Sequence, residues 1–141
     1  MSYSILIVDD SLPMRSVIKR TVKASGYGGS RFFEAANGKQ AIELMAKEWI
    51  DIIITDYNMP VMNGLEFIKI IKKNDLFKDI PVIVISTDGN KTRIKEFMDN
   101  GAAGYITKPF TPEIIRDLIT RILGEPSYDE GVDDNGEDFD F

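Results

Sequence analysis

The sequence predicts an α/β fold: a doubly wound parallel sheet of five strands. Three observations carry this. Five short extended runs alternate with five amphipathic helical patterns at intervals of roughly 20–30 residues, the signature of a parallel sheet with helices on both faces. The runs at residues 5–8, 52–54 and 82–85 are apolar throughout, as strands buried on both faces must be, whereas residues 31–35 and 103–106 are mixed, as edge strands are. With 141 residues, 43% of them hydrophobic, the chain suits one core and cannot supply the eight βα units of a closed barrel. Placing the mixed runs at the edges favours strand order 2-1-3-4-5, the flavodoxin-like (βα)5 arrangement.

Each element has its own local cause. Ile5-Leu6-Ile7-Val8 forms the first strand and stops at Asp9-Asp10. Met14, Val17, Ile18 and Val22 then recur at i, i+3, i+4 and i+8, one face of a helix. Ser11 or Asp10 caps its start, Pro13 falls in the first turn where proline is tolerated, and Gly26 is placed to end it. Arg31-Phe32-Phe33-Glu34-Ala35 is the second strand, after which Asn37-Gly38 opens a helix carrying Ala41, Leu44, Met45 and Trp49. Ile52-Ile53-Ile54-Thr55 is the third strand and runs into Asp56-Tyr57-Asn58-Met59-Pro60. Asn63 caps a helix with Phe67, Ile68 and Ile71 on one face. Pro81 introduces the fourth strand, Val82-Ile83-Val84-Ile85, which ends at Ser86-Thr87-Asp88. A more polar helix follows with Ile94, Phe97 and Met98 directed inward and Gly101 beyond its end. The last strand, Ala103-Gly104-Tyr105-Ile106, is stopped by Thr107-Lys108-Pro109. Thr111-Pro112-Glu113 supplies a cap, a proline at the first helical position and an acid in the first turn, and Ile115, Leu118, Ile119 and Ile122 form that helix's buried stripe.

Composition removes several chemistries. There is no cysteine and no histidine, which excludes disulfides, thiolate metal sites, thiol catalysis and phosphohistidine within this chain. No apolar run reaches the roughly 18 residues of a membrane span and residues 1–4 lack a basic signal-peptide start, so a cytoplasmic protein without membrane insertion is expected. The net charge of −6 is concentrated at one end: residues 125–141 hold eight acidic residues and no Lys or Arg, and the remaining 15 acidic and 17 basic residues leave residues 1–124 at +2. The organisation expected is a folded domain over 1–124 followed by an acidic tail, 125–141, disordered in isolation. No basic stripe marks a nucleic-acid partner. The tail's Asp133-Asp134-Asn135-Gly136-Glu137 does not make a calcium loop, because with Gly136 at the sixth position the first ligand would fall on Gly131 and the twelfth beyond Phe141.

In an open parallel sheet, ligands bind outside the carboxyl ends of the strands where the strand order reverses. Four strand ends deliver polar groups to that place: Asp9-Asp10, Asp56, Ser86-Thr87 and Lys108. A single carboxylate at a strand end is ordinarily a helix cap, and Ser86-Thr87 alone would read as a cap too. Three carboxylates around one spot repel one another and call for a cation, and all-oxygen ligation points to Mg²⁺.

These residues resemble the receiver domain of bacterial two-component response regulators, in particular its stand-alone, CheY-like chemotaxis members. The likeness rests on Asp9-Asp10, Asp56-Tyr57-Asn58-Met59-Pro60, Ser86 and Lys108-Pro109-Phe110, spans residues 4–123, and implies the same strand order. It implies that Asp56 is the phospho-acceptor, that Asp10, Asp56 and the backbone carbonyl of Asn58 hold Mg²⁺ with Asp9 assisting through water, and that Lys108 neutralises charge on the transferring phosphoryl group. It implies that Ser86 hydrogen-bonds a phosphoryl oxygen, that Tyr105 moves inward as the helix 4 face rearranges, and that the Lys108–Pro109 bond is cis. Thr87 stands where the family often has alanine, so Thr87, with Asp88 beside it, is expected to modulate access to Asp56. Partners implied are a sensor histidine kinase, a downstream target such as a flagellar motor switch protein, and a phosphatase, all acting on a monomer. A phosphate sink or an adaptor in another pathway would use the same body.

Two other classes fit less well. An aspartate-nucleophile phosphatase resembles Asp-x-Asp, whose second acid protonates the leaving group; here that position is Asn58, which does no acid–base work near neutral pH. An acyl phosphate on Asp56 is therefore expected to lose its phosphate slowly, as a switch and not an enzyme would. A flavin carrier would present backbone amides to its phosphate, and paired aspartates there would repel it.

Overall fold

The computed structural model describes residues 3–124. Alternation is complete: β1 (Ser4–Val8), α1 (Leu12–Val22), β2 (Arg31–Ala35), α2 (Gly38–Met45), β3 (Ile52–Asp56), α3 (Gly64–Lys72), β4 (Val82–Ser86), α4 (Lys91–Asp99), β5 (Gly104–Thr107) and α5 (Pro112–Leu123). All neighbouring strands pair in parallel, in the order β2-β1-β3-β4-β5, the flavodoxin-like sheet that the patterning predicts. The acidic stretch at 125–141 lies outside the described residues.

Because side chains alternate across a strand, each central strand feeds two cores. Leu6, Val8, Ile53, Val82 and Val84 pack against Ala41, Met45, Phe67, Ile68, Ile71 and Phe97 from α2, α3 and α4. Ile5, Ile7, Ile52, Ile54, Ile83 and Ile85 pack on the other side against Ile18, Val22, Ile115, Leu118 and Ile119 from α1 and α5. Each such side chain contributes about 1.5–3 kcal/mol by leaving water, so this two-sided burial is what holds the strand ends in place. Helix starts follow their caps: Ser11, Asn37, Asn63, Asn90 and Thr111 each accept a backbone N–H, and Asn63 with Glu66 forms a reciprocal capping box.

Several elements depart from the sequence pattern. Gly26 is left-handed (φ 106°), but the chain adds a wide turn over Lys23–Tyr27 and buries Tyr27, so α1 does not stop cleanly there. Helix α2 ends at Met45, and Trp49 lies in the following connection, 79% exposed, its indole N–H donating to Asp51 Oδ1 at 2.9 Å. A side chain of that size, four residues past the last helical turn, has no core face left to occupy. Met98 is likewise exposed: Phe97 takes the buried position on the short α4, and Met98 lines a depression between α4, β5 and α5. Strand β5 begins at Gly104, one residue later than expected, where a Cβ would lie 2.6 Å from Leu118.

Candidate functional site

The parallel sheet brings the carboxyl ends of β1, β3, β4 and β5 to one edge. Register fixes their relative heights, with Val8 opposite Thr55, Asp56 opposite Ile85, and Ser86 opposite Thr107. Asp9 therefore follows β1, Asp56 ends β3, Ser86 ends β4, and Lys108 follows β5. The Lys108 amide donates to the Ser86 carbonyl at 2.8 Å, and the Lys108–Pro109 peptide bond is cis. A carboxylate oxygen from each of Asp9, Asp10 and Asp56 falls within 4.8 Å of the others. Lys108 Nζ stands 3.7 Å from Asp56 Oδ1, both side chains being mostly buried.

Burial dominates the electrostatics of the site. Burial raises the Asp56 pKa above the usual carboxylate range, opposed by Lys108 and the Tyr57 N–H, and Asp10 adds to the rise. Burial also raises that of Asp9; the Ser11 N–H, donating to Oδ1 at 2.9 Å, opposes it, and the charge of Asp56 reinforces it. Asp9 is only 2% exposed, and its Oδ2 is buried with no hydrogen-bond partner. An orphaned carboxylate oxygen beside two further carboxylates fits a hard divalent cation with oxygen ligands, so the residues present suit Mg²⁺.

The β3–α3 loop closes one side of the site. Gly64 N–H donates to the Tyr57 carbonyl at 2.9 Å, and a Cβ on Gly64 would lie 2.6 Å from the Asp56 carbonyl oxygen, so only glycine lets α3 start this close to Asp56. Asn58 is exposed, and Val61 is held left-handed at φ 71° while 77% exposed. On the β4 side, Ser86 is 1% exposed and its Oγ accepts the Asp88 N–H at 3.1 Å, leaving the hydroxyl's own proton available to donate. Thr87 lies on the surface in a cavity of about 400 Å³ shared with Met14, Val17, Thr21, Lys108, Pro109 and Phe110. Asp88 turns toward α4, pairing with Arg93 at 3.5 Å. Tyr105 is partly buried, and its hydroxyl donates to the Asp88 carbonyl at 2.6 Å.

Two contributors escape sequence reading. Arg15 donates to the Asp9 carbonyl at 2.6 Å and pairs with Glu34 at 2.8 Å, bracing the β1–α1 loop from β2. Arg93 stacks on the Tyr57 ring, 4.2 Å from its centroid, from a different element. Spacing signals neither, because Glu34 and Tyr57 lie on elements remote in sequence from Arg15 and Arg93.

At this sheet edge a cluster of three carboxylates faces a lysine. The chain belongs to the response regulator receiver domain family, whose model matches residues 5–120. Among curated proteins it is 38% identical over 124 residues to the chemotaxis protein CheY homolog of Campylobacter jejuni, covering 87% of this chain and 94% of the relative. It is 40% identical over 121 residues to chemotaxis protein CheY1 of Helicobacter pylori, covering 85% and 96%. Its structure is similar to that of chemotaxis protein CheY4 of Vibrio cholerae, with a TM-score of 0.77, 33% identity, and coverage of 87% of this chain and all of that one.

Proposed function

We propose that this chain is a chemotaxis-type response regulator that accepts a phosphoryl group onto Asp56 from a sensor histidine kinase and thereby changes what its α4–β5–α5 face binds. The observation that carries the proposal is the gathering of Asp9, Asp10 and Asp56 within 4.8 Å, with Lys108 Nζ 3.7 Å from the acceptor.

Asp56 Oδ attacks the donor phosphorus, forming an acyl phosphate as the phosphorus–nitrogen bond of a phosphohistidine breaks and the imidazole keeps the electron pair. Asp9, Asp10 and Asp56, with the Asn58 carbonyl, would hold Mg²⁺, which when bound neutralises charge on the transferring group. Lys108 places a fixed positive charge beside the same oxygens, the main requirement of a transfer with little covalent work for the protein to do. Ser86, at the end of β4, donates its hydroxyl to a phosphoryl oxygen. Asn58 supplies no general acid or base, so the modified state persists. The hydrogen bond from Ser86 to the phosphoryl group exists in only one state, and that difference biases the β4–α4 loop and Tyr105.

The test uses the intact chain with Mg²⁺ and acetyl phosphate, read by intact mass. One added phosphate on wild type and none on Asp56→Asn is expected. An unmodified wild type, or the same adduct on Asp56→Asn, would overturn the proposal.

A further inference from the structure

Five residues form a closed circuit between Asp56 and α4. Tyr57, bonded directly to Asp56, meets Phe97 edge-on at 5.5 Å between ring centroids. Phe97, fully buried, meets Tyr105 at 5.6 Å. Tyr105 donates to the Asp88 carbonyl at 2.6 Å, and the Asp88 carboxylate meets Arg93 at 3.5 Å. Arg93 then closes the circuit by covering the Tyr57 ring at 4.2 Å. A second, weaker pair of Arg93 with Glu96 at 3.9 Å keeps the guanidinium on the α4 surface.

Arg93 thus touches neither the acidic cluster nor Lys108, yet it joins the segment after β3 to the segment after β4. A planar guanidinium can stack on a ring with its face while its edge donates to a carboxylate, which a point charge cannot do. We propose that Arg93 is a positioning residue that clamps the β4–α4 loop to Tyr57 and so holds Tyr105 on the Asp88 carbonyl before any phosphoryl group arrives. The inference rests on the reading of Tyr105 as the switch residue, and it assigns the resting bias of that switch to a contact outside the phosphorylation site.

The test needs no phosphodonor. The full chain is labelled with 3-fluorotyrosine, the Tyr105 resonance is assigned through Tyr105→Phe, and wild type is compared with Arg93→Gln, Tyr57→Leu and the double variant. Arg93→Gln is expected to move the Tyr105 resonance toward its released position, changing the ratio of bound to released forms roughly two- to fivefold. In the Tyr57→Leu background the same substitution is expected to do at most half as much. Lys95→Gln, which removes an exposed charge from the same helix, is the control and leaves Tyr105 in place. An unmoved Tyr105 in Arg93→Gln, an equal effect in both backgrounds, or an equal shift in the control would each overturn the inference. Failure of wild type to take up phosphate would sink the receiver proposal and leave this result intact.

Discussion

Lys108 Nζ lies 3.7 Å from Asp56 Oδ1, with the two groups carried on strands that do not pair with each other. Strand β4 separates them, and the Lys108 N–H bonded to the Ser86 carbonyl sets the spacing. At this distance the ammonium helps keep Asp56 ionised against burial. Replacing Lys108 by Met keeps the stem and removes the charge. Phosphorylation by acetyl phosphate is expected to slow by about 10²–10³-fold, the usual cost of losing one preorganised electrostatic group, as followed by intact mass against time.

Asp9 and Asp56 both have raised pKa values in the fold, chiefly through burial. A carboxyl whose folded pKa is above its unfolded value favours folding most when protonated. Its contribution is fully present below the ordinary carboxylate pKa and is lost as pH rises through the raised one. At pH 7 without metal the charged cluster therefore weakens the fold. Asp56→Asn is expected to raise the metal-free Tm by a few degrees at pH 7, and the gain should shrink steadily on acidification toward pH 4. Thermal melts across that range check the sign.

Magnesium should reverse the effect. A cation that binds only the folded acidic cluster stabilises by mass action. Millimolar Mg²⁺ is expected to raise the wild-type Tm at pH 7, and to do so less in Asp9→Asn, whose buried oxygen is otherwise without a partner. Equal shifts in both proteins would argue against Asp9 as part of the cation site.

Gly64→Ala tests how tightly α3 abuts Asp56. The new Cβ would meet the Asp56 carbonyl oxygen at 2.6 Å and Tyr57 Cα at 3.1 Å, both backbone atoms that cannot rotate away. A loss of about 1–3 kcal/mol is expected from overpacking, measured by urea unfolding, together with slower phosphorylation because Asp56 itself must shift.

Val61 should yield the opposite result. A β-branched residue at φ 71° pays roughly 1–2 kcal/mol for the left-handed conformation, and its side chain is exposed, with little packing to lose. Val61→Asn, a residue that tolerates this region, is expected to stabilise the protein by up to about 1 kcal/mol, read as a higher urea midpoint with unchanged slope.

Much of this was legible because the signals are local. Ile52-Ile53-Ile54, a short β-branched run ended by turn formers, reads as two-sided strand core, and Asn63 with Glu66 marks a helix start. Trp49 and Met98 misled for the complementary reason. Their apolar character fits a helical stripe, but the length of α2 and the single buried position on α4 decide whether such a stripe exists there.

The sequence by itself determined the alternation and the identity of the residues at four strand ends, since strand periodicity and turn chemistry are properties of neighbours along the chain, and it favoured the sheet order through the mixed edge strands. Only the tertiary structure decided that Asp9 is buried with an unpartnered oxygen, that Lys108 stands at Asp56, and that Arg93 bridges Tyr57 and Asp88. Those relationships depend on strand register and helix placement, and so on packing between elements that the chain itself keeps far apart.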